Sequence, residues 1–322
     1  DFTDKLVLGT DSHYMPHGDA AFVARLDPAG NWTWSLKSSG SSATPYDVAT
    51  DSSGLLVVGC FRETMEIDSA VVTSISSHRD AFVLNVELDG RVSWLRRAGG
   101  PTSDSARGVA LDRNGNGYVT GTVSDHATLG TLSLSFTHMG SSDVFVAEID
   151  RKGTFRRARL GLGGTGIAFD ARDNLYVSGT FDSNDVLVDC TMKSYGESDT
   201  YVMRVNPSQL TVDWCRSAGS GARDGTISVA AGPHAIAYSG FTGGSMDFGT
   251  LRLSDSGMFL AAATLQGEPL WLAGGIAEQN GFSRDLAFDK SGNLFVTGGF
   301  GGTGTFGTTT LKAHGDADIF VW

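Results

Sequence analysis

Apolar residues in this chain come in short runs that alternate with polar positions, and each run stops at a Gly, Asn or Asp turn, the pattern of half-buried strands. One phrase recurs six times: Leu6-Val7-Leu8-Gly9, Val57-Val58-Gly59, Tyr118-Val119-Thr120-Gly121, Tyr176-Val177-Ser178-Gly179, Ala237-Tyr238-Ser239-Gly240 and Phe295-Val296-Thr297-Gly298. A second apolar pair follows each, at Phe22-Val23, Phe82-Val83, Phe145-Val146, Tyr201-Val202, Phe259-Leu260 and Phe320-Val321. These aromatic positions recur 56 to 63 residues apart, which marks a repeat architecture.

One repeat shows the expected elements. Residues 108–112 are a short strand, and Arg113-Asn114-Gly115-Asn116 is a tight turn. Residues 117–123 alternate and are rich in β-formers, so they are the second strand. A variable loop follows, often with a Leu-Gly or Phe-Gly piece: Leu129-Gly130, Phe248-Gly249 and Phe306-Gly307. Residues 143–150 are the third strand, and the fourth carries an aromatic, Phe155 here and Trp34, Trp94, Trp214 or Trp271 elsewhere. No segment keeps apolar spacing at i, i+3, i+4 and i+7, so helices are expected to be nearly absent. Four short antiparallel strands per repeat, arranged radially so that sheet edges are hidden, is the β-propeller solution. The glycine closing each phrase marks a bulge or a close backbone approach.

The 322 residues contain no linker between repeats, so residues 1–322 read as one domain. With 43 Gly and 7 Pro the chain suits many tight turns, and 40% apolar residues allow a substantial core. No apolar run is long enough to span a membrane. The chain begins inside a repeat without a signal peptide, which reads as a processed product. A net charge of −12 disfavours nucleic acid and anionic membrane surfaces as partners. Arg151, Lys152, Arg156, Arg157 and Arg159 form a local basic stretch, read as a solvated hairpin edge or as a docking patch for an acidic partner.

Cys60 sits in an apolar strand and reads as a buried small hydrophobe. Cys190 and Cys215 share one repeat and are candidates for a disulfide, which would imply an oxidising compartment.

Candidate chemistry lies in the turns. Asp112-Arg113-Asn114-Gly115-Asn116-Gly117 fits half of a calcium loop, but Val123 stands where a bidentate carboxylate is needed, so a plain hairpin turn is the reading. His13 and His17, with Asp11 and Asp19, fall in a segment whose Pro and Gly make it a loop, so no metal is assigned. The turn before each innermost strand holds Tyr46-Asp47, Arg107-Gly108, Arg223-Asp224 and Arg284-Asp285. In a propeller these positions ring the channel mouth. Asp47, Arg107, Arg223, Asp224, Arg284 and Asp285 are therefore the candidate ligand or partner residues, with mutual Arg–Asp pairing as the structural alternative.

The spacing of Phe22-Val23-Ala24-Arg25-Leu26-Asp27-Pro28-Ala29-Gly30 with Trp34, of Phe82-Val83 with Leu88-Asp89-Gly90 and Trp94, and of residues 287–298 resembles the SBBP-type β-propeller repeat of secreted and surface proteins of bacteria and archaea. The resemblance implies a propeller, here six blades of four-stranded antiparallel sheets, with part of a seven-bladed ring as the alternative. It implies little about activity. The leading expectation is a non-enzymatic interaction or scaffold module, an accessory subunit of an extracytoplasmic or membrane-associated complex. It meets other protein subunits through the variable loops at residues 64–79, 124–142 and 182–198, and uses no cofactor. The alternatives are a glycan-active lyase or hydrolase at the channel mouth, and a propeller binding a small ligand or metal.

Overall fold

The computed structural model describes residues 2–124, 126–135, 142–182 and 189–322. The described residues form antiparallel β-sheets joined by turns, without helices. Packing divides the chain into two compact units, Asp1–Leu160 and Gly161–Trp322.

In the first unit, β1 (Phe2–Leu8) and β2 (Asp11–Ala20) form a hairpin. β3 (Phe22–Leu26) pairs with β4 (Trp32–Gly40). β5 (Ala43–Thr50) and β6 (Gly54–Arg62) lead into a short hairpin, β7 (Thr64–Ile67) and β8 (Ala70–Thr73), and the chain returns through β9 (Arg79–Glu87) and β10 (Val92–Gly99). β11 (Ser105–Leu111) and β12 (Gly117–Ser124) precede a second short hairpin, β13 (Ala127–Leu129) and β14 (Leu132–Leu134), followed by β15 (Ser142–Ile149) and β16 (Phe155–Leu160). The second unit opens with the sheet β17 (Gly166–Phe169), β18 (Leu175–Asp182), β19 (Ser198–Asn206) and β20 (Thr211–Ala218). β21 (Asp224–Ala231), β22 (Ala235–Thr242), the hairpin β23 (Met246–Phe248) and β24 (Leu251–Leu253), and β25 (Gly257–Thr264) follow. β26 (Pro269–Phe288), β27 (Leu294–Phe306), β28 (Thr309–Lys312) and β29 (Asp318–Val321) complete it.

The sheets hold two to seven strands where the sequence pattern expects a uniform four. Insertion hairpins explain much of this difference. Between the second and third strands of a repeat, the chain turns back onto the outer strand of the preceding repeat. β7 pairs with β4 (Gly40↔Met65), and β13 with β10 (Ala98↔Leu129). Asp247 of β23 bridges Gly219 just after β20, and β27 pairs with β26 (Gly275↔Phe306). Gly130, Gly249 and Gly307 at the hairpin tips have φ of 59°, 61° and 60°, and Asp68 takes the same place at 54°. Primed turns need that conformation. The hairpins bury Met65, Ile67, Leu129, Met246, Phe248 and Phe306. The Leu-Gly and Phe-Gly pieces are thus the ends of apolar plugs. Outside these hairpins, the Asp of the third-strand phrase caps the chain entering it. Asp80 accepts from Ile75 N at 3.1 Å, Asp199 from Tyr195 N at 2.7 Å and Asp318 from His314 N at 2.9 Å.

The first repeat departs from the pattern. Residues 11–19, read above as a loop, lie in β2, paired to β1 with Leu6 opposite His13. The Leu6-Val7-Leu8 phrase therefore pairs with β2 and not with Phe22-Val23.

Two recurring contacts set the packing. At Gly59, Gly121, Gly240 and Gly298 a Cβ would run into the carbonyl oxygen of Thr44, Ser105, Gly225 or Phe282 on the inner strand. Each glycine faces a bulge, where the inner strand gains one residue: Tyr46, Arg107, Ile227 or Arg284. The fourth-strand tryptophans clasp the next repeat. Trp34 Nε1 donates to Leu88 O at 2.9 Å, Trp94 to Arg151 O at 3.0 Å and Trp214 to Leu265 O at 3.3 Å. Their rings lie where a Cβ on Gly90, Gly153 or Gly267 would fall, so the turn glycine is needed for contact as well as for conformation.

The core forms between adjacent sheets. In the first unit Leu56, Val58, Val83 and Trp94 meet Val109, Val119, Phe145 and Phe155. In the second, Tyr176 and Val202 meet Tyr238, Phe248 and Phe259, with Tyr238 edge-on to Phe248 at 5.7 Å and to Phe259 at 5.6 Å.

Candidate functional site

The bulges decide where the candidate side chains sit. A bulged residue breaks the alternation of the strand, so two consecutive side chains leave the inner strand on its open side. Arg107 and Arg284 are bulged residues, and Asp47 and Asp285 directly follow the bulge. Arg223 and Asp224 are not equivalent to them. Asp224 begins β21, and the bulge there comes at Ile227. The Arg-Asp dipeptide is the same in sequence and different in register.

In the first unit, Asp47 accepts from Val109 N of the next inner strand at 2.8 Å and from Val48 N at 2.7 Å. Arg107 lies over the Tyr46 ring, its Cζ 4.2 Å from the centroid, and its Nε donates to Ser105 Oγ at 3.1 Å. In the second unit, Asp285 accepts from Ser228 Oγ and Leu286 N, both at 2.8 Å. Arg284 lies over Phe282 at 5.7 Å. The two aspartates therefore tie inner strands of adjacent repeats, and the two arginines stack on rings. Asp224 is buried and accepts from Ser220 N, Ser220 Oγ and Gly243 N, which holds the turn before β21. Arg223 is exposed and joins its backbone to Gly243 and Ser198.

The hairpin aspartates have turn partners. Asp112 Oδ1 accepts from Asn114 N and Asn116 N, and Oδ2 from the Asn116 amide at 2.9 Å. Asp27, Asp51, Asp150, Asp170 and Asp289 make the same kind of turn. The side-chain amide and backbone N–H of Asn293 hold the Asp289 carboxyl below its ordinary range. His13 Nε2 bonds Ser35 Oγ at 2.7 Å, and Ser35 donates to Asp11, also at 2.7 Å. The side chains of His17 and Asp19 lie outside the described residues. In the basic stretch, Arg151 pairs with Asp51 at 3.0 Å, Arg156 with Asp150 and Arg157 with Glu148.

Cys190 and Cys215 form a disulfide, with Cα atoms 6.2 Å apart. Cys60 is buried and reduced, with its Sγ 3.5 Å from Tyr46 Oη. The bond fastens the segment after β18 to β20 of its own sheet. Lys193 N donates to Ser217 Oγ at 3.1 Å, and Ser217 donates back to Lys193 O at 2.9 Å.

One cavity of about 240 Å³ in the first unit is bordered by Tyr46, Arg62, Arg79, Asp104, Ser105 and Arg107, among others. Sequence reasoning found Arg107 and missed Arg62 and Arg79. Their signal was the register of the β6–β9 pair: with Gly54 opposite Glu87, Arg62 falls opposite Arg79.

Residues 93–122 match the SBBP beta-propeller repeat, covering most of β10 and the β11–β12 hairpin. No curated protein matches the chain. The chain thus carries a β-propeller repeat of the SBBP type.

Proposed function

We propose that this chain is a non-enzymatic interaction or scaffold module, built as one propeller of six blades over residues 1–322 and working in an extracytoplasmic protein complex. The observation that carries it is the anchoring of the insertions. Residues 64–73 and 127–134 are fixed to a neighbouring strand by pairing and plug residues, and residues 190–193 by a disulfide. The hairpin tips recur, Gly-Thr at 130–131, 249–250 and 307–308, while the segments that lead from the insertions into the third strand differ in sequence between repeats, as in binding loops held by a rigid scaffold. The disulfide supports an oxidising compartment. Among the described residues no helix is long and apolar enough to cross a membrane.

The test is amine cross-linking of native material followed by mapping of the linked sites. The reading expects cross-links to other subunits at Lys193, which is exposed beside the disulfide. Recovery of the protein only as a free monomer, at native concentration and without cross-links in any insertion, overturns it.

A further inference from the structure

Arg62 and Arg79 stand directly opposite each other on β6 and β9. Like charges at such a cross-strand pair repel and destabilise a sheet. Arg107 comes to the same cavity from β11 of the next sheet. Among the described residues neither the Arg62 nor the Arg79 guanidinium has a hydrogen-bond or ion-pair partner. Their neighbours do: Arg97 bonds Asp80 at 2.8 Å. One carboxylate, that of Asp104, also lines the cavity, but both its oxygens are taken by backbone N–H groups, and Glu63 is bonded elsewhere. Asp104 Oδ2 accepts from Gly100 N and Oδ1 from Ser124 N, each at 2.7 Å, and Glu63 accepts from Ser41 Oγ at 2.8 Å.

A chain with net charge −12 has many carboxylates, yet it leaves three guanidinium groups together around one polar cavity. The arrangement also breaks the repeat. The positions matching Arg62↔Arg79 are Ser124↔Ser142, Asp182↔Ser198 and Thr242↔Gly257. An anion between the arginines would turn the repulsion into attraction, and the planar guanidinium fork suits carboxylate and phosphate oxygens. Arg107, stacked on Tyr46 and held by Ser105, is already oriented for it. The cavity is smaller than the several hundred Å³ of a drug-sized site, so it fits one anionic head group with few further atoms.

We infer that this cavity binds an oxyanion, the phosphate or carboxylate head of a small soluble molecule. The inference is independent of the partner-binding reading.

Isothermal titration of the full chain with inorganic phosphate and with citrate, at neutral pH and matched ionic strength, tests it. One-to-one binding of at least one probe is expected, weakened tenfold or more by Arg79→Gln. Which probe binds tighter names the head group. A second readout guards against a merely structural role. In anion-free buffer Arg62→Gln and Arg79→Gln should each raise the melting temperature, because each lifts the repulsion, and each should lose the stabilisation that the probe gives the parent protein. Failure of both probes to bind, or equal binding and equal thermal shifts in parent and variants, overturns the assignment.

Discussion

The insertion between the second and third strands is held in two different ways. In the repeat of β21–β26 it is the hairpin β23–β24, paired to Gly219 and plugged by Met246 and Phe248. In the repeat of β17–β20 the segment around Cys190 is bonded to β20 of its own sheet. The first joins two repeats through apolar burial, and the second closes on its own repeat through a covalent bond. Each is also held by an Asp: Asp224, at the start of β21, accepts from Gly243 N where the first insertion begins, and Asp199, in β19, accepts from Tyr195 N where the second ends. An insertion at this place must be pinned, and the means of pinning is free to change.

Removing the plug should have the largest effect. Phe248 is fully buried against Tyr238, and Phe248→Ala should cost about 3–5 kcal/mol in a denaturant titration. A cost below about 1 kcal/mol would mean that the hairpin is decoration. Replacing both Cys190 and Cys215 by Ser should cost roughly 3 kcal/mol for a loop of this separation. The amide of Lys193 should then exchange with solvent much faster.

How these insertions are pinned was only half legible. The sixfold phrase, the Asp turns and the Leu-Gly and Phe-Gly pieces follow local rules, so they stand out in the sequence. The strand that each hairpin docks on lies in the preceding repeat, and three-residue strands such as Ala127–Leu129 carry too little pattern to reveal a distant partner. The same holds for the candidate site. Arg107 and Arg284 stand out in the sequence as turn residues before inner strands, whereas the structure puts them within β11 and β26, at bulges, and Asp224 was misaligned with them because a bulge is a property of register. Arg62 and Arg79 are unremarkable residues until pairing sets them face to face.

Acidity separates the two modes further. Asp104 is buried and clamps Gly100 N and Ser124 N at the entry to the β13–β14 insertion. Burial, with the neighbouring Asp80 carboxylate adding to it, pushes its carboxyl up to about 6. The folded state therefore holds a proton that the unfolded chain releases near its ordinary value of 3.8. Its contribution is fully present below about pH 4 and is lost as pH rises through about 6, a change of about 2–3 kcal/mol. Melting curves from pH 4 to 7 should show this fall, and Asp104→Asn should flatten it. A fall of the same size in the variant would place the titration elsewhere. Protonation of the turn aspartates such as Asp289, whose carboxyl is held low, lies below this window and acts in the opposite sense.

The smallest effect discriminates best. Ser217 exchanges two hydrogen bonds with the backbone of Lys193, and both are solvent-exposed. In the oxidised protein Ser217→Ala should cost about 1 kcal/mol, since the segment is held in place and its N–H and C=O lose a partner. In the background lacking both cysteines the outcome depends on what the sulfur bond does. If the disulfide alone keeps the segment on β20, the segment frays without it, and Ser217→Ala costs nothing further. The two changes are then strongly coupled in a double-mutant cycle. If Ser217→Ala costs the same in both backgrounds, the segment stays on β20 by hydrogen bonding and the Asp199 cap. The disulfide would then be an addition to a docked strand, and the contrast with the β23–β24 hairpin would reduce to a difference in which strand is chosen.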